Sequence, residues 1–95
     1  MTIQETAAAT DGILDAVDQQ VRQLQQEGVE PRYVVVGPVA YEALRQAIAA
    51  RFNRSAGTFE TYQYLAIVLD PFRDEEVCVL PAPGALVDGV RTVRV

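Results

Sequence analysis

The groups in this chain that could do chemistry are few, and most have a plain alternative use. Cys78 is the single thiol and sits within Val77-Cys78-Val79-Leu80. A cysteine nucleophile needs a neighbouring base or cation to generate its thiolate. The chain has no histidine, so the apolar run predicts that Cys78 is a small buried side chain. Asp74, Glu75 and Glu76 could attract a divalent cation, but they lack the spaced oxygen ligands of a calcium loop and read as a solvated turn. Gly37-Pro38 precedes a helical pattern as a phosphate loop would, with one glycine and no lysine to cradle a phosphate. Tyr62 and Tyr64 alternate as base-stacking aromatics can, yet no basic patch surrounds them and packing is the plainer reading. Arg51, Arg54 and Arg73 could line one surface, though spacing alone does not bring them together. No nucleophile–base pair appears, and so small a domain offers little cleft across which paired carboxylates could act. The expectation is a non-enzyme without cofactor or metal.

Composition narrows the partners. The chain has 95 residues, 49% hydrophobic and 22% charged, with a net charge of −5. That length supports one modest core. Acid excess argues against nucleic acid, because phosphate binding needs a basic surface. No apolar run approaches the ~20 residues of a membrane span, and Met1 to Thr10 lacks the basic and apolar regions of a signal peptide. One cysteine fits a reducing cytoplasm. All eight bases are arginine. Acid excess with arginine in place of lysine suits a salt-rich cytoplasm, where ionic strength screens self-repulsion; a GC-rich genome gives the same bias. Melting in dilute buffer and in molar KCl separates the two readings, since equal stability would rule out salt adaptation.

The elements that must position these groups follow from periodicity. Residues 1–10 are polar and alanine-rich and predict a flexible N-terminal arm, followed by one domain over 11–95. Thr10 or Asp11 can cap a first helix, along which Ile13, Leu14, Val17, Val21 and Leu24 share a face. Asp18, Gln19, Gln20, Arg22, Gln23 and Gln26 form the solvated side. Gly28 stands where a left-handed C-cap belongs, and Val29 can fold back on the last turn. Tyr33 to Val36 predicts a strand covered on both faces. Pro38 suits the first position of a second helix, with Tyr41, Leu44, Ile48 and Phe52 inward. Asn53, Arg54, Ser55, Ala56, Gly57 and Thr58 read as an exposed loop. Thr61 to Leu69 predicts one strand, which Val77 to Leu80 rejoins as a β-hairpin after a turn at 70–76. Gly89 to Val95 predicts a last strand near an edge, where arginines discourage further pairing. The sum is an α+β domain, two helices on a small mixed sheet with a β-hairpin.

The run from Gln26 to Arg45 carries a resemblance. A helix ends at Gly28, Pro31 precedes the valine-rich strand, and Pro38 opens a helix bearing Tyr41 and Leu44. Tyr64 to Pro71 and Val77 to Pro81 continue the pattern. Together these resemble the axial domain (A-domain) of tailed-phage major capsid proteins and encapsulin shell proteins, over about Asp11 to Val95. The motifs are patterns of residue class, and it is their order and spacing that carry the likeness. The chain has no room for the family's spine helix, peripheral domain or extended loop, so it looks most like the small A-domain-only encapsulin-like proteins of archaea. The resemblance implies a capsid A-domain-like fold and a non-catalytic assembly or scaffold role. It implies self-association as a homo-oligomer, docking on a partner metabolic enzyme, or both. It also makes Asn53 to Thr58 the loop near a pore, with Arg54 facing the channel. The other readings are a small monomeric adaptor or regulatory domain, and an accessory subunit of an enzyme.

Overall fold

A computed structural model of the chain describes residues 2–7, 12–52, 59–82 and 91–94. The elements run β1 (Thr2–Ala7), α1 (Ile13–Gln26), β2 (Pro31–Val36), α2 (Pro38–Arg51), β3 (Thr61–Tyr62), β4 (Leu65–Leu69), β5 (Glu76–Pro81) and β6 (Arg91–Arg94). They form one mixed sheet of order β3-β4-β2-β5-β1-β6. Both helices pack against the sheet and against each other, so they share one of its faces. The α+β class expected from periodicity is the one observed.

α1 begins at Gly12, whose φ of 90° lies in the left-handed region, and no side chain caps it. Thr10 and Asp11, the expected caps, lie outside the described residues. At its other end Gly28 (φ 75°) supports a Schellman closure, with Val29 N–H donating to Leu24 O at 2.9 Å and Gly28 N–H to Gln25 O at 3.0 Å. Gly28 and Val29 thus do what their positions predicted.

The pleat sorts the central strands. Val34 pairs with Val79 and Val36 with Val77, and these four lie under the helices among Ile13, Val17, Leu24, Leu44 and Ile48. Tyr33 and Val35, paired with Leu80 and Cys78, point to the helix-free face.

Five expectations need correction. Residues 2–7 of the expected arm form β1, inserted between β5 and β6, with Ile3 buried. The polar run hid it because a strand needs only one buried anchor when its neighbours supply the ladder. Thr61 to Leu69 is not one strand, since Gln63 (φ 56°) and Tyr64 turn the chain so that Tyr62 pairs with Leu65. The expected hairpin between β4 and β5 is also absent, because β2 lies between them, parallel to β4 and antiparallel to β5; the hairpin that does form joins β3 to β4. Phe52 is 49% exposed, and Ala40, Leu44, Ile48 and Ala49 form the buried stripe of α2.

The fifth correction is Gln20. It was placed on the solvated face of α1 yet is 3% exposed. Its Nε2 donates to Thr6 Oγ1 at 2.9 Å and to Val77 O at 3.2 Å, and its Oε1 accepts from Val79 N–H at 2.8 Å. The β1–β5 register runs only from Ala7↔Glu76 to Glu5↔Cys78. Beyond it the Gln20 amide stands in for a peptide unit of the missing ladder. Gln20→Leu keeps the volume but leaves the Val79 N–H buried and unpaired, an expected loss of about 1–3 kcal/mol by urea denaturation. No loss would mean that water replaces the amide.

Candidate functional site

The loop singled out by the resemblance, Asn53, Arg54, Ser55, Ala56, Gly57 and Thr58, lies outside the described residues. Its two stems are described. Arg51 and Phe52 close α2, and Phe59 leads toward β3. Between them is a cavity of about 200 Å³ lined by Ile48, Phe52, Phe59, Thr61, Tyr62 and Gln63. Tyr62 is fully buried, and its hydroxyl is held from two sides. Arg51 Nη1 donates to it at 2.7 Å, and it donates to Asp18 Oδ1 at 3.1 Å. Arg51 also faces Asp18 Oδ2 at 3.5 Å. Burial, then the Asp18 carboxylate, push the Tyr62 phenol above its ordinary value. A neutral phenol shared between a carboxylate and a guanidinium is neither base nor nucleophile at neutral pH. Its evident work is to tie α1, α2 and β3 together.

The other candidates separate in space. Arg73 pairs with Glu5 and, at 2.9 Å, with Asp70, on the loop facing the start of α2. Arg51 sits at the opposite end of that 14-residue helix, roughly 20 Å away at 1.5 Å per residue. The two arginines do not share a surface. Tyr62 and Tyr64 part as well, because Tyr64 is exposed in the turn and meets Gln25 Nε2 at 3.5 Å.

Gly37-Pro38 offers no anion cradle. The carbonyl of Asp74 accepts from Val39 N–H at 3.0 Å and Ala40 N–H at 3.1 Å, while Gly37 N–H donates to Glu76 O at 3.1 Å. The 70–76 turn therefore caps α2 from outside. Of the acid trio, Asp74 supplies this cap through its backbone and Glu76 pairs with Arg94 at 2.9 Å. Among the described residues no group of three or more acids, cysteines or histidines is placed to hold a metal ion, and no helix is long and apolar enough to cross a membrane.

Cys78 is buried with its thiol pushed up from about 9 to about 11, chiefly by burial; Arg73 opposes the shift and Glu76 adds to it. At neutral pH it is protonated and unreactive, as the apolar run predicted. The folded state holds this proton more tightly than the unfolded chain does. Its contribution is therefore complete below about pH 9 and is lost as pH rises toward 11, by up to about 2–3 kcal/mol. Urea midpoints should fall across that window in the wild type, and less steeply in Cys78→Ala. Equal slopes would assign the alkaline loss elsewhere, with the raised Tyr62 phenol first in line.

One surface was not singled out by any motif. At the end of the sheet where β2 and β4 finish, Phe72 is 92% exposed, Leu69 52% and Val39 46%. They converge because Asp70 N–H bonds Val36 O at 2.8 Å and the turn capping α2 follows directly. Asp70 Oδ1 accepts from Phe72 N–H at 3.0 Å and fixes the turn that presents the ring. Beside it, Pro38, Val39, Glu42, Ala43 and Gln46 form a shallow, open face on the first turns of α2. The signal in the sequence was an aromatic after proline in an otherwise polar turn, which periodicity arguments pass over.

The chain matches no family model, no curated protein and no solved structure.

Proposed function

We propose that the protein is a non-catalytic assembly module, of the kind an isolated capsid A-domain would make, working in the cytoplasm. It self-associates, docks on a partner enzyme, or does both. The observation that carries this reading is the apolar end formed by Val39, Leu69 and Phe72, with Phe72 92% exposed. Single exposed apolar residues are ordinary on monomers. Three large ones at one end, with an open face of α2 beside them and acids (Glu42, Asp74, Glu75) around them, have the apolar centre and polar rim of an interface. Tyr62, Arg51, Arg73 and Cys78 support the same reading, since each is engaged in holding the fold.

The test is solution mass by light scattering after size exclusion, in dilute buffer and in molar KCl. A discrete oligomer in either supports an assembly role. A 10.4 kDa monomer in both, at high concentration, overturns self-association.

A further inference from the structure

We infer that β1 and β6 form one flap, which opens as a unit and leaves the two helices on β3, β4, β2 and β5. This goes beyond the assembly reading and does not depend on it. β6 stands at the end of the sheet, and among the described residues β1 is its only strand partner. β1 in turn meets β5 over three residue pairs, from Glu5↔Cys78 to Ala7↔Glu76, whereas β2 meets β5 over five. Past Glu5 the seam between β1 and β5 has no ladder, and the Gln20 amide bonds the β5 backbone there instead. Release of β1 from β5 therefore carries β6 with it.

Charge and polarity close this seam more than apolar packing does. Ile3 is the only buried side chain of the two strands. Across the seam Arg73 pairs with Glu5 and Arg94 with Glu76 at 2.9 Å. Gln20 donates to Thr6 at 2.9 Å, and Glu27 Oε2 accepts from Thr2 N–H at 2.8 Å. Arg73 also holds Asp70, so the fixed side of the main clasp is anchored in the turn that caps α2. The Glu5 side chain is 14% exposed, against 78% for Arg94, which makes the Arg73 pair the stronger of the two. Salt screens both, the exposed pair most, so the flap opens more readily as ionic strength rises. Opening bares the β5 edge from Glu76 to Cys78, while the apolar layer of Val17, Leu24, Leu44 and Ile48 over β2 stays closed.

Amide hydrogen exchange of the full chain, followed by NMR, tests the flap. In dilute buffer the amides of β1, and those of β6 that face it, should exchange at least about tenfold faster than those of Val34 to Val36. Leu44→Ala should speed exchange in β2 by about 30- to 1000-fold and leave β1 and β6 unchanged, because the closed and flap-open forms lose the same contact. Ile48→Val makes the same comparison at a few-fold, should Leu44→Ala fold poorly. Glu5→Gln removes the clasp charge and keeps its size. It should speed exchange in β1 and β6 alike, by about tenfold, and remove most of the acceleration that molar KCl causes in the wild type. If Leu44→Ala and Ile48→Val speed β1 and β6 as much as β2, these strands open only with the whole fold and there is no flap. If Glu5→Gln speeds β1 and not β6, the two strands do not move together. If molar KCl acts equally on the wild type and on Glu5→Gln, the Arg73–Glu5 pair is not the clasp.

Discussion

Gly37→Ala is expected to prevent folding, or to cost at least about 4 kcal/mol, as seen in the urea midpoint or in the soluble yield. A Cβ at Gly37 would lie 2.2 Å from both the nitrogen and the oxygen of Asp74 and 2.5 Å from the carbonyl carbon of Arg73. All three are backbone atoms, so no side-chain rotation relieves the clash. The turn would have to move, and with it go the bonds from Gly37, Val39 and Ala40 that join it to the start of α2. Gly37 itself has φ −74°, which any residue adopts, so the penalty is one of space. Gly28→Ala is the matched control. It has φ 75° and nothing within 4 Å, so the conformational cost is only about 1–2 kcal/mol. If the two variants proved equally mild, the turn would not be packed on the helix as described.

Leu44→Ala should cost about 2–4 kcal/mol, through lost transfer energy and a cavity that the helix layer cannot collapse. Leu44 is fully buried on the side of α2 that meets α1 and the sheet, whereas Phe52, at the spacing of the same stripe, is half exposed. Phe52→Ala should therefore cost less than Leu44→Ala despite deleting a larger side chain. Chemical denaturation of the pair tests the register of α2 directly. A larger loss at Phe52 would mean that the stripe runs toward the helix end and not through Ala40, Leu44 and Ile48.

Local patterning made the helices legible. Proline at the start of α2, the glycine closing α1 and the apolar stripe of α1 report on their own neighbourhoods, and the structure agrees with each. Strand partnership was less accessible. β4 and β5 look like a hairpin in sequence because they are close and both apolar, yet each finds β2 instead. A central apolar strand buries more on both sides than a direct hairpin would. β1 was hidden because Thr2–Ala7 has almost no apolar content; its place depends on β5 and β6, about 70 residues or more away in the register Glu5↔Cys78 and Glu5↔Arg94. Gln20 was illegible for a related reason. A glutamine on a glutamine-rich helix looks solvated until the ladder gap beside it is known. For the candidate site, periodicity located the loop at 53–58 through its polarity. The apolar end at Val39, Leu69 and Phe72 combines the start of a helix, the end of a strand and a turn, and no single-element pattern predicts such convergence.

The position of β1 has a consequence for biosynthesis. Synthesis from the N-terminus makes this strand before every other described element, and its pairing partners β5 and β6 after all the others. At typical translation speeds of about 5–20 residues per second, β1 waits on the order of ten seconds with its backbone unpaired while the helices form ahead of it. Unpaired strands invite association with other nascent chains. Here the waiting strand offers Ile3 as its one large apolar side chain, among threonines, glutamine and glutamate. The same polarity that conceals β1 in the sequence is what suits it to be the strand left open during synthesis.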